Sequence, residues 1–146
     1  MRRIEFANSE VAAAFETYTP AQAAKLLILR HMIFDVAETT SGMGAVEETL
    51  RWNQPSYLTS ETGSGSTIRI DAIKNDAPSV GMYFHCQTGL VDHFRSLYPG
   101  VFCFEGNRAM IFAVDIPLPD AELRHCISLA LTYHLRKLSN KKAAPK

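Results

Sequence analysis

The sequence predicts an α+β two-layer sandwich: an antiparallel sheet of four to five strands packed by N- and C-terminal helices. Apolar residues recur at helical spacing in one segment near each end of the chain, and alternate with period two in the middle, over residues 67–73. The connections between the central segments are short, and a parallel crossover needs a dozen or more residues, so antiparallel neighbours are expected. A half-apolar sheet must cover one face, and the flanking helices are available to do so.

The elements follow in order. An upstream turn or two spans residues 11–18. Thr19 can cap the next helix, Pro20 suits its first position and Gln22 completes a capping box. Ala23, Leu26, Leu27, Ile33, Phe34 and Ala37 then mark one face of a helix over 20–38 that stops before Gly42-Met43-Gly44. Residues 46–52 read as a short helix with Val46, Leu50 and Trp52 inward, ended at Asn53-Gln54-Pro55 because a residue before proline avoids helical dihedrals. Tyr57-Leu58-Thr59 opens the sheet, and Gly63-Ser64-Gly65-Ser66 reads as a flexible loop.

Over 67–73, Ile68, Ile70 and Ala72 share one strand face, and Thr67, Arg69 and Asp71 the other. A denser apolar run over 80–86 gives a second strand. Leu90, Val91, Phe94 and Leu97 lie on the inner side of a helix that ends before Pro99-Gly100. Strands over 101–104 and 109–114 flank Glu105-Gly106-Asn107-Arg108, a hairpin signal because Gly and Asn accept positive φ. Asp120 and Glu122 favour the start of a last helix, whose stripe runs from Leu123 to Leu138. One domain over 1–146 is expected, with its core in roughly 20–138 and flexible ends at 1–8 and 139–146.

Composition narrows the function classes. A chain of 146 residues, 47% of them hydrophobic, can bury a full core and is not disordered. Fifteen basic residues balance fifteen acidic ones, and only Arg2-Arg3 and Lys141-Lys142 are locally basic, so no nucleic-acid partner is expected. Cys86, Cys103 and Cys126 form no Cys-x-x-Cys and read as buried reduced thiols of a cytosolic protein. Residues 1–8 lack an apolar signal region and no run reaches membrane-spanning length, so the expected location is the cytoplasm, with no membrane partner.

Chemistry concentrates at 47–58. The only tryptophan lies beside an amide pair, a proline, a hydroxyl and a phenol, and aromatic walls with a few fixed polar groups are the stuff of small-molecule pockets. The competing reading is a helix cap and turn whose aromatics complete the core. Arg69 and Asp71 share one strand face and Tyr83 and His85 another, with Arg108 closing the hairpin. The expected site therefore joins Trp52, Gln54, Tyr57, Arg69, His85, Arg108 and Glu47 around a small polar or anionic molecule, Arg supplying a planar donor fork. No catalytic residue and no cofactor is expected. An enzyme using Glu47, Tyr57 and His85 as acid/base groups is the alternative, and an exposed sheet face or edge is where a homodimer would form.

Glu47-Glu48-Thr49-Leu50-Arg51-Trp52-Asn53-Gln54-Pro55-Ser56-Tyr57, with Gly65-Ser66-Thr67-Ile68-Arg69 and Tyr83-Phe84-His85, resembles the YdhG-like family of small bacterial domains, over roughly residues 26–137. The signature is Trp52, Pro55 and Tyr57. The resemblance implies an α+β fold with terminal helices on an antiparallel sheet, and a distant link to frataxin-like iron proteins, so that a frataxin-like iron-binding protein is a second alternative function. Frataxin-type iron proteins resemble one another in an acidic first helix and sheet edge, because hard cations take carboxylate oxygens. Lys25, Arg30 and His31 stand against Asp35 and Glu38 in the main first helix, which is no acidic ridge, and neither His85-Cys86 nor any other His pair has ligand spacing.

Overall fold

The computed structural model describes residues 4–42, 44–74 and 78–136; the expected flexible tail at 139–146 lies outside them. The chain order is α1 (Ser9–Glu16), α2 (Pro20–Thr39), β1 (Glu47–Arg51), β2 (Gln54–Leu58), β3 (Ile68–Ile73), β4 (Ser79–Tyr83), a 3₁₀ turn (Cys86–Thr88), α3 (Leu90–Leu97), β5 (Cys103–Glu105), β6 (Ala109–Ala113) and α4 (Asp120–Leu131). The sheet has six strands in the order β1-β2-β3-β4-β6-β5, and every neighbouring pair is antiparallel. The architecture is the expected α+β sandwich, with one strand more than the upper expectation.

The additional strand is β1, where a short helix was expected over 46–52. Glu, Leu and Arg are good helix formers, but tertiary packing overrides that preference. Glu48 and Leu50 pair with Tyr57 and Pro55 on the face that meets the helices. Trp52 and Asn53 both take positive φ, 56° and 61°, and form a two-residue hairpin turn closed by Arg51 opposite Gln54. Asn tolerates this conformation; a bulky Trp does so rarely. Pro55 is admitted because the ladder from β2 to β3 begins only at Ser56.

Period-two alternation sends Tyr57, Ile68, Ile70, Val80, Met82, Met110 and Phe112 into one core with Leu26, Leu29, Met32 and Ile33 of α2 and Leu123, Ile127 and Leu131 of α4. The opposite sheet face carries Gln54, Ser56, Arg69, Asp71, Ser79, Gly81, Tyr83, Ile111 and Cys103 by register. Thr19 caps α2 as expected, its hydroxyl accepting from the Gln22 N–H at 3.3 Å. Cys126 is buried as expected, and burial, then Glu122, pushes its thiol up to about 12. Cys86 and Cys103 are exposed, contrary to expectation, because one follows the end of β4 and the other lies on the uncovered face of edge strand β5.

The core encloses an ion pair. Arg30 is 3% exposed, and each of its guanidinium nitrogens donates a hydrogen bond. Nε and Nη2 donate to the two Glu48 carboxylate oxygens at 2.5 and 3.0 Å, while Nη1 and Nη2 donate to the Ile4 and Glu5 carbonyls at 2.7 and 3.1 Å. The Tyr57 hydroxyl donates to Glu48 Oε2 at 2.8 Å, and Phe6 lies under the guanidinium at 4.0 Å. Residues 4–8, expected to be flexible, are thus tied to α2, and Asn8 caps α1 by accepting from the Glu10 and Val11 N–H groups.

The segment Gly63-Ser64-Gly65-Ser66, expected to be a flexible loop, is a docked staple. The Ser66 N–H donates to Ala130 O at 2.9 Å and the Ser64 hydroxyl to Leu131 O at 3.2 Å, satisfying carbonyls at the end of α4. Ser64 O in turn accepts from the His134 N–H at 2.8 Å, so the helix expected to continue to Leu138 is interrupted after Leu131. Approach this close requires glycine: a Cβ on Gly65 would lie 2.4 Å from Leu131 O.

Two predictions follow from these contacts. Glu48→Ala leaves Arg30 buried without its counter-charge and should lower unfolding free energy in urea, followed by circular dichroism, by about 3–5 kcal/mol; Tyr57→Phe, which removes one hydrogen bond to a charged group, should cost about 1.5–3 kcal/mol. Gly65→Ala, meeting backbone rather than a movable side chain, should cost at least about 2 kcal/mol in the same assay.

Candidate functional site

The residues expected to converge are distributed over separate regions. Tyr57 is fully buried on the helix-facing side, held by Glu48. Burial, then Glu48, raises its phenol pKa well above the ordinary range. Glu47, on the edge strand, accepts from the Ser60 hydroxyl at 2.7 Å. Trp52 is 84% exposed at the hairpin tip.

His85 is not on a strand with Tyr83, because β4 ends at Tyr83. It caps the 3₁₀ turn, Nδ1 accepting from the Gln87 N–H at 3.1 Å. Glu47, Tyr57 and His85 therefore lie on an edge strand, in the core and beyond a strand end respectively. Gln54 and Arg69 do share the outer face, and Arg108 stands in the turn between β5 and β6. Around them Tyr83 lies flat over Gly81, its hydroxyl only 2.7 Å from where a Cβ would stand. Burial, then Asp71 and Glu105, raises that phenol's pKa against the opposing charges of Arg108 and Arg69.

A polar cleft does form beside the hairpin turn, from other residues. It has a volume of about 500 Å³, and Thr17, Tyr18, Gln22, Asn53, Asp71 and Lys74 line it. The turn between α1 and α2 places Tyr18, the tip of the first hairpin places Asn53, and β3 supplies Asp71. The Asp71 carboxylate accepts from the Tyr18 hydroxyl at 3.1 Å and the Ala72 N–H at 2.9 Å on one oxygen, and from Gln54 Nε2 at 3.2 Å on the other. A carboxylate offers about four acceptor positions, so one remains on Oδ2. Gln22 secures the cleft from behind, its amide donating to Ile73 O at 3.2 Å and Ser79 O at 3.0 Å.

Sequence reasoning named Asp71 only as a strand-face neighbour and missed Tyr18 and Lys74. A polar residue at an outward strand position, directly across from an amide, was the available signal for Asp71. Tyr18 precedes a helix cap, and nothing local announces that its hydroxyl reaches a strand more than fifty residues away.

Among the described residues no group of three or more His, Cys, Asp or Glu side chains is placed to hold a metal ion. No described helix is long and apolar enough to cross a membrane. Comparison with family models, curated proteins and solved structures finds no match to this chain.

The cleft makes a pH prediction. Burial first, then Asp71 as a charge and as an acceptor, holds the Tyr18 phenol well above its ordinary value. The folded chain keeps this proton at a pH where the unfolded phenol, with a pKa of about 10, has lost it. The unfolded state then binds fewer protons, so stability is full below about pH 10 and falls as pH rises beyond it. Asp71→Asn should lower the Tyr18 midpoint without restoring the ordinary value, since burial remains, as read by tyrosinate absorbance against Tyr18→Phe.

Proposed function

We propose that the protein binds a small polar molecule in the cleft between the first hairpin turn and β3. Asp71 accepts a hydrogen bond from the ligand, and Lys74 offers a cation to any anionic group it carries. The ligand class is the one the sequence suggested, and the cleft still adjoins the Trp52–Asn53 turn, but the contacting residues are Tyr18, Asn53, Asp71 and Lys74.

The observation that carries this reading is the state of Asp71. A carboxylate fixed by donors from α1–α2, β2 and β3 is oriented before any ligand arrives, which spares the ordering cost of binding. Its free acceptor position gives a charge-assisted hydrogen bond, about twice as strong as a neutral one. Membership of the YdhG-like family and a cytoplasmic location belong to the same reading; the helices packed on an antiparallel sheet are consistent with the former.

Calorimetric titration with a panel of free amino acids, small polyols and dicarboxylates tests it. A member that binds should lose at least about tenfold in affinity in Asp71→Asn, the loss expected for a hydrogen bond to a charged group. Absence of heat across the whole panel, or equal affinity in Asp71→Asn, contradicts the proposal.

A further inference from the structure

We infer a second binding site, beyond that polar cleft and lined by different residues, for a compact apolar molecule carrying a single hydrogen-bonding oxygen, with Ser79 as its polar contact. The site is the notch where β5 stops short. β6 runs to Ala113, but β5 pairs with it only from Cys103 opposite Ile111 to Glu105 opposite Ala109. A cavity of about 560 Å³ occupies the place a longer β5 would fill. Such a volume is within the range of small-molecule sites, roughly 300–1,000 Å³.

Register fixes its floor. Ser79 stands opposite Ala113, and Gly81 opposite Ile111, which in turn faces Cys103. Ser79, Ala113, Ile111 and Cys103 therefore present side chains on the same outer face, and all of them line the cavity. Val101 forms one wall and the Pro117-Leu118-Pro119 segment another. The proline rings fix their own φ, so this wall is formed in advance of any ligand. The position of the segment is secured by Lys25, itself 8% exposed, whose ammonium donates to Ile116 O at 2.7 Å.

Within this apolar lining one polar atom has nothing to bond to among the described residues. Ser79 is 5% exposed, and its buried hydroxyl oxygen has no hydrogen-bond partner among them. Native structures leave few such groups, because a buried unpaired hydroxyl is costly. Its backbone carbonyl is already taken by Gln22. The hydroxyl can both donate and accept and can turn among staggered rotamers. A ligand oxygen in the cavity, phenolic, alcoholic or carbonyl, would supply the missing partner, and the remaining lining asks for an apolar body.

The probes are para-ethylphenol and ethylbenzene, a pair differing by one oxygen. Ligand-observed NMR should show para-ethylphenol binding about tenfold more tightly, the factor corresponding to one hydrogen bond. It should slow alkylation of Cys103 by iodoacetamide and leave the other exposed thiol, Cys86, unaffected. In Ser79→Ala the preference should disappear. That variant removes an unpaired hydroxyl and should fold at least as stably as the parent, so loss of structure does not confuse the result. Ala113→Leu, which fills the floor, should abolish binding of both probes. The inference is overturned if neither probe binds, if Cys86 is protected equally, or if the phenol preference survives in Ser79→Ala. It is also overturned if the chain dimerises through this notch, shown by a dimer that Ile116→Asp disperses in sedimentation. None of these readouts involves the Asp71 cleft, so the two sites stand or fall separately.

Discussion

The fold turns on placing one positive charge where water cannot reach it. Arg30 projects from α2 among apolar neighbours, and a lone guanidinium there would be prohibitive. Its carboxylate partner comes from β1, two carbonyls come from residues 4 and 5, and an aromatic face comes from Phe6. Each partner belongs to a segment at the margin of the sheet. The edge strand β1 pairs with only one neighbour, and residues 4–8 have no regular structure. A buried pair of this kind contributes little net stability against an apolar alternative. What it contributes is uniqueness: few other placements of β1 or of residues 4–8 would satisfy both charges.

The same constraint explains what could be read from the sequence and what could not. Local signals were sufficient where local chemistry decides. Thr19-Pro20-Ala21-Gln22 starts α2, alternation through Ile68 and Ile70 marks β3, and Gly106, at φ 59°, lies in the turn between β5 and β6. They failed where a distant partner decides. Glu48 looks like a solvated helix residue until Arg30 is known to be buried, and charged residues are almost never buried without a partner. Tyr57 belongs to the site the sequence suggests because its phenol suggests chemistry, yet that phenol is the third member of the buried cluster. Ser64 and Gly65 suggested flexibility, and only the end of α4, more than sixty residues on, shows why two small residues stand there.

Part of the candidate site was legible for a related reason. The tract at 47–58 adjoins the polar cleft, since Asn53 of its turn is among the lining residues. It could not name the members. Tyr18, Asn53 and Asp71 meet because α1, the first hairpin and β3 end near one another, a fact of topology rather than of spacing. His85 was misplaced by a single boundary: with β4 ending at Tyr83, a side chain assigned to a sheet face becomes a cap.

Trp52 is the chain's only indole, and in the folded state it already stands in water at a hairpin tip. Its left-handed backbone, which costs an L-residue about 1–2 kcal/mol, is the penalty of setting it there. With the indole 84% exposed, its emission should be that of a solvated indole before denaturant is added, so global unfolding should pass almost unrecorded in that signal. The same signal is undiluted by any core tryptophan, and reports only what happens at the tip of one hairpin.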